Sequence, residues 1–230
     1  MLTLLRRATG ALLETLFPDR CAACDAPLEA PFCGPCADTL VPCEGGCPVC
    51  AAPADDLLKP RRCAACRERA PPFARAAAPY LHGGALMEAI HRLKYERRED
   101  LARCLGVLFD ACEPPKAHAL VPIPLHPSRL RQRGYDQARL LAAAAGSRFG
   151  IPVRDVLVRH RRTPHQVGLD RQARERNLRG AFTANGDLTG LRLCLIDDVL
   201  TTGATAAAAA TALLEAGAAR VEVRTLARAP

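Results

Sequence analysis

Two adjacent carboxylates, Asp197 and Asp198, follow four apolar residues, Leu193 to Ile196, and precede a run of small residues, Thr201, Thr202, Gly203, Ala204 and Thr205. Paired acids accept hydrogen bonds from sugar hydroxyls or help hold a hard divalent cation such as Mg²⁺. The small-residue run offers backbone N–H groups and Thr hydroxyls, and at a helix start it gains the positive end of the helix dipole. That combination is a cradle for a phosphate. The carboxylates would repel a phosphate, so the two halves address different parts of one ligand. Phosphate at the loop with a diol beside it describes a ribose 5-phosphate.

The elements that must hold these groups are legible around them. An apolar run without alternation suits a strand buried on both faces, as in a parallel sheet. Beyond Thr205 the chain is rich in alanine and leucine as far as Gly217, a helix with a glycine stop. The expected unit is therefore strand, acidic pair, loop, helix. It has neither the G-x-x-x-x-G-K-[ST] of a P-loop nor the G-x-G-x-x-G of a dinucleotide site.

A second anion site is expected upstream. A short apolar strand at Ala119 to Val121 runs into Pro122, which cannot donate to a ladder. Ser128, Arg129, Arg131, Arg133 and Gly134 then read as a basic loop, with a helix from about Asp136. Arginine binds phosphates in a bidentate way, so Ser128, Arg129 and Arg133 suit a pyrophosphate. Gly83 to Leu108 reads as one helix with Leu86, Ile90, Leu93 and Leu101 on its apolar face. Val153 to Val158 reads as a strand, and Val221 to Leu226 as the strand that closes the sheet. Arg159 to Arg179, polar and Arg-rich, reads as a mobile lid, with His165 a lone histidine in it.

Nine of the 12 cysteines lie before residue 67. Eight form C-x-x-C pairs: Cys21/Cys24, Cys33/Cys36, Cys47/Cys50 and Cys63/Cys66. Each such turn presents two thiolates to one metal, and two turns complete a tetrahedral Cys₄ site, so two structural zinc ions are expected. A disulfide framework and iron–sulfur ligation are the rival readings. Cys43 could replace one ligand. Cys104, Cys112 and Cys194 lie among apolar residues. Zinc would hold together a head too small for its own core.

The 230 residues allow one full domain and a small one, drawn at 1–75 and 76–230. Apolar content of 49% with 24% charge is that of a globular protein. No run reads as a signal peptide or a membrane span, which makes the cytoplasm the expected compartment and membrane insertion unexpected. The net charge of +8 is localised. His126 to Arg139 carries +3 and Arg154 to Arg179 carries +5, while the cysteine-rich head is neutral. Concentrated arginine suits an anionic ligand.

The stretch L-C-L-I-D-D-V-L-T-T-G-A-T closely resembles the phosphoribosyl pyrophosphate (PRPP) motif of type I phosphoribosyltransferases. V-P-I-P-L-H-P-S-R-L-R-Q-R-G-Y-D-Q-A, H-R-L-K-Y and R-N-L-R-G-A-F resemble the ComF family, phosphoribosyltransferase-like proteins associated with competence that begin with a cysteine-rich zinc ribbon. The resemblance runs from about Cys21 to Leu226. Asp136 stands where that family usually has Asn, His165 where it has Pro, and Arg97 where it has Gly. It implies an α/β type I phosphoribosyltransferase fold behind a double zinc ribbon. It also implies catalytic and PRPP-binding roles for Asp197 and Asp198, with Thr201 to Thr205 binding PRPP. Two functions follow as expectations. One is phosphoribosyl transfer with pyrophosphate release. The other is a PRPP-sensing adaptor without turnover that binds single-stranded DNA or a protein of DNA uptake or recombination.

Overall fold

A computed structural model describes residues 20–28, 30–53, 61–161, 178 and 180–230. The expected lid falls almost wholly outside them, as does His165. The fold is organised by the strand that carries the acidic pair, Arg192–Leu200. It is flanked by parallel neighbours on both sides, Ala119–Pro122 and Arg220–Arg228. Two short strands, Arg75–Ala77 and Tyr80–Leu81, pair in parallel with the outer side of Arg220–Arg228. In chain order these are β1 (Arg75–Ala77), β2 (Tyr80–Leu81), β3 (Ala119–Pro122), β6 (Arg192–Leu200) and β7 (Arg220–Arg228). The remaining strands, β4 (Leu157–Arg159) and β5 (Phe182–Ala184), form a separate antiparallel pair.

The uninterrupted apolar run of β6 is explained by two covered faces. Cys194 and Ile196 point with Leu120 into one core, and Leu193 and Leu195 point with Val121 into the other. The first core is closed by α3 (Gly84–Tyr95), α4 (Leu101–Gly106) and α6 (Gln137–Phe149), through Leu86, Ile90, Leu93, Leu105 and Leu141. The second is closed by α7 (Ala204–Glu215), whose Ala206, Ala209, Ala210 and Leu213 are buried. Alanine on that face lets the helix lie close to the sheet while keeping the best helix propensity.

Several expectations change in detail. The helix expected over Gly83 to Leu108 breaks after Tyr95, because the charged run Glu96 to Asp100 cannot follow the apolar face inward. Arg97 adopts φ 57° there, a left-handed conformation that L side chains disfavour. The basic loop after β3 is instead a short helix, α5 (Pro127–Arg133), with proline in its first turn and Gly134 as its left-handed cap. The expected Val153–Val158 strand is split: Val153 bridges Leu120 of β3, with the Arg154 N–H donating to Leu120 O at 2.9 Å, and Leu157 and Val158 belong to β4. The sheet is not closed by β7, which lies inside it with β1 and β2 beyond.

Among its described residues the head contains two one-turn helices, α1 (Gly34–Ala37) and α2 (Ala64–Glu68), each entered directly from a cysteine. Its two halves attach differently. Cys21, Ala22 and Phe32 are buried in the same core as Leu86 and Ile90. The second half has a small core of its own, Cys47, Val49 and Cys66. It is tied to the sheet by the Ala76 N–H donating to Val49 O at 2.7 Å and Arg228 Nε donating to Cys50 O at 3.1 Å.

Candidate functional site

The acidic pair sits at the carboxyl end of β6, where ligands of open parallel sheets bind. The Asp198 N–H donates to Asp197 Oδ1 at 2.8 Å. Burial, and then the charge of Asp198, push Asp197 above the usual carboxylate range. Asp198 is buried, and its Oδ1 lies 2.5 Å from Lys94 Nζ at the end of α3. Its other oxygen, Oδ2, is buried with no hydrogen-bond partner among the described residues. His82 is close enough to feel both: burial lowers it first, then the Lys94 charge, against the pull of Asp198.

The loop follows at once. Gly203 has φ 79° and caps α7. An added Cβ would meet nothing nearer than 3.9 Å, so conformation and not space calls for glycine. Thr202 Oγ1 accepts from the Ala204 N–H at 3.4 Å. Thr201 is exposed, while Thr202, Gly203 and Thr205 are half-buried and Ala204 is buried. Behind the loop a cavity of about 990 Å³ separates it from the second cysteine cluster, lined by Thr201, Thr202, Gly203, Phe73, Arg69 and Arg228 among others. Asp197 and Asp198 are not among its lining residues.

The basic residues of α5 approach from β3. His126 Nδ1 caps the helix, accepting from the Ser128 N–H at 3.2 Å and meeting Ser128 Oγ at 2.8 Å. Arg159 is half-buried; burial lowers it first, then the charge of Arg129, while Asp197 opposes. Arg129 and Asp197 each therefore lie within electrostatic reach of Arg159. Arg133 turns elsewhere, its guanidinium 5.2 Å above the exposed Tyr95 ring and hydrogen-bonded to Gln137. Asp136 accepts from Leu125 N–H at 2.8 Å and Ala138 N–H at 3.0 Å, so its carboxylate is engaged by the backbone at the start of α6.

Sequence reasoning did not place Lys94 or His82 in the site, and it gave Arg159 only as the start of the lid. A signal for Lys94 was present: it is one of three lysines in a chain with 32 basic residues, so a lysine there departs from a strong arginine bias.

The cysteines settle into two groups, Cys21/Cys24/Cys33/Cys36 and Cys47/Cys50/Cys63/Cys66, with all ligand atoms of a group within 4.8 Å of one another. Cys24 and Cys33 sulfurs are 3.6 Å apart, as are those of Cys50 and Cys63. A tetrahedral zinc with bonds of ~2.3 Å spaces its sulfurs about 3.8 Å apart, whereas an S–S bond is ~2.05 Å. The thiols within each group are not alike: burial and then the neighbouring cysteines push Cys36 and Cys66 up, whereas one thiol in each group is pulled down. Burial opposes ionisation of Cys21, but backbone N–H groups of Cys33, Cys24 and Ala23 outweigh it and bring the thiol down to about 6. Cys47 is placed alike, by Cys63, Cys50 and Val49. Cys43 is in neither group; its thiol lies 3.5 Å from Ala51 O. Cys194 is buried, and Cys104 and Cys112 are half-buried. Among the described residues no helix is long and apolar enough to cross a membrane.

No family model matches the chain. Relatives do. The DNA utilization protein YhgH of Salmonella typhi is 31% identical over 223 residues, covering 92% of this chain and 97% of that one. Competence protein F of Haemophilus influenzae is 27% identical over 222 residues, covering 91% and 90%. Competence protein ComFC of Bacillus subtilis is 30% identical over 180 residues, covering 74% and 72%. Among solved structures, glutamine phosphoribosylpyrophosphate amidotransferase from B. subtilis, complexed with ADP and GMP, aligns with TM-score 0.36 and 24% identity over 55% of this chain and 25% of that one. With its paired cysteine clusters, its parallel sheet and a similarity to YhgH and competence protein F that covers nine-tenths or more of each chain, the chain belongs to the ComF family.

Proposed function

We propose that the chain binds PRPP with Mg²⁺ at Asp197 to Thr205 and transfers its phosphoribosyl group with release of pyrophosphate, in the handling of DNA for competence. One observation carries the reading: a parallel strand ends in two carboxylates, and a left-handed glycine then turns the chain directly into the N-terminus of α7. The 5-phosphate sits against Thr201, Thr202, Gly203, Ala204 and Thr205, whose N–H and hydroxyl groups face the helix start. Asp197 and Asp198 accept hydrogen bonds from the ribose hydroxyls. The unpartnered Asp198 Oδ2 and the adjacent Asp197 carboxylate are a hard-oxygen pair that suits Mg²⁺. That ion, when bound, neutralises pyrophosphate charge. Arg129, with Arg159, supplies further positive charge towards the leaving group, and Ser128 and Arg133 belong to the same basic element. Two structural zinc ions hold the cysteine clusters, and the protein acts in the cytoplasm.

A second reading, a PRPP-sensing adaptor without turnover, is favoured by one surface. Tyr95 is 60% exposed, stacked with Arg133 and flanked by His91, whose ring centroid is 4.9 Å away. An exposed aromatic among cations is a platform for unstacked bases. The relatives' names, competence and DNA utilization, fit either reading.

Incubation with PRPP and candidate acceptors separates the two. Pyrophosphate release above a protein-free control supports transfer, and saturable PRPP binding without release supports the adaptor. Asp197→Asn with Asp198→Asn keeps the apolar strand and should weaken PRPP binding by roughly tenfold to several hundredfold, since charged acceptors are worth ~1.5–3 kcal/mol each. A double variant that melts normally and binds PRPP like the parent would refute the site.

A further inference from the structure

Asp198 is a buried carboxylate with one oxygen satisfied and one bare. Its Oδ1 is paired with Lys94, whose side chain is 22% exposed against 5% for Asp198, while Oδ2 has no hydrogen-bond partner among the described residues. Burial works against the Lys94 ammonium, but the Asp198 carboxylate, with help from Asp197, more than offsets it. The lysine is held in place from behind: Tyr135, buried, donates its hydroxyl to the Leu93 carbonyl and so fixes the last turn of α3.

The choice of lysine is informative. The chain uses arginine almost everywhere, and an arginine here would form a planar fork able to engage both oxygens of Asp198. A lysine is a point charge that takes one oxygen and leaves the other open. Two adjacent carboxylates repel each other in a partly desolvated site, and the Lys94 ammonium offsets one negative charge there.

We infer that Lys94 is a resident counter-ion of the acidic pair: its ammonium stands in for a divalent cation on Asp198 in the free protein and is displaced when the cation arrives with an anionic phosphate ligand. This rests on the reading of the acidic pair as a cation and ribose site. Displacement frees one ammonium beside the incoming phosphate, so the same residue suppresses cation binding by itself and favours the cation together with its phosphate ligand. The consequence is a site that a bare metal ion fills only at high concentration.

The test uses Mn²⁺ as the probe on the zinc-loaded full chain, without PRPP at first. Lys94→Met should bind Mn²⁺ more tightly than the parent, by roughly tenfold or more, because a neighbouring positive charge is removed. It should bind Mg²⁺-PRPP less tightly. The gain for Mn²⁺ should vanish when Asp197→Asn and Asp198→Asn are added, which excludes sites elsewhere. In the parent, reductive methylation read by mass spectrometry should label Lys94 slowly and faster once Mn²⁺ is raised to saturation, with the exposed Lys116 as internal reference. That measurement needs no variant to fold. Unchanged or weaker Mn²⁺ binding by a folded Lys94→Met, or Lys94 labelling indifferent to Mn²⁺, overturns the inference. Tighter Mn²⁺ binding by Lys94→Met with no PRPP binding by either protein upholds the counter-ion and refutes the PRPP reading.

Discussion

Replacing Arg92 by Met tests whether the first cysteine cluster is part of the main core. Arg92 lies on α3 and is 6% exposed. Its guanidinium donates to the Ala22 carbonyl at 3.0 Å, to Asp25, and to Glu96 at 3.2 Å. Methionine preserves most of the stem packing, so the loss is polar. The Ala22 carbonyl, in a fully buried residue, would lose a charged donor, a cost of ~1–3 kcal/mol. Asp25 loses less, because its side chain is 43% exposed and keeps Arg98 at 2.9 Å; that contribution is about 0.5–1 kcal/mol after screening. The exposed Glu96 adds a few tenths of a kcal/mol. The variant should be destabilised by about 2–4 kcal/mol, or roughly 4–16 °C in melting temperature for a chain of this length. Thermal and urea melts at fixed zinc would measure it. Arg98→Met is the control: Arg98 is more exposed and pairs with the exposed Asp100, so it should cost under ~1 kcal/mol. An Arg92→Met protein that melts within about 1 °C of the parent, or an Arg98→Met protein that loses as much stability as Arg92→Met, would refute the view that this cluster is built into the core.

Elemental analysis should find about two zinc ions per chain; Cys43→Ser should leave that number unchanged, and Cys50→Ser should lower it to about one. Arg97→Gly should stabilise the protein by about 0.5–1 kcal/mol in a thermal melt, since it relieves a left-handed backbone at an exposed residue while adding glycine's unfolded-state entropy. The folded protein holds a proton on Asp197 to higher pH than the unfolded chain does. That contribution to stability is complete below the ordinary carboxylate range and is lost as pH rises through the raised value. The ligand-free parent should therefore lose more melting temperature between pH about 5 and about 8 than Asp197→Asn does; equal slopes would contradict the raised value.

Much of the site could be read locally. The run Leu193 to Ile196, the two carboxylates and the small-residue loop are contiguous, and each element's burial and backbone preference are written in its own period and composition. The same holds for the four C-x-x-C turns, whose geometry is complete within four residues. What local pattern does not carry is which distant element stands beside which. Lys94 and Asp198 are 104 positions apart, and they meet because α3 closes the face of the sheet at the end of β6. The grouping of the cysteines, with Cys43 left out, depended on how two turns pack, which spacing alone leaves open. The place of β7 inside the sheet followed from β1 and β2, five residues too short and too irregular to announce themselves as strands. That Arg133 lies over the Tyr95 ring likewise depends on how α5 and α3 come together. A residue's type and neighbours record whether it is buried and what it can bond. Its partner is chosen by strand order and helix docking, which are decided by burial summed over the whole chain.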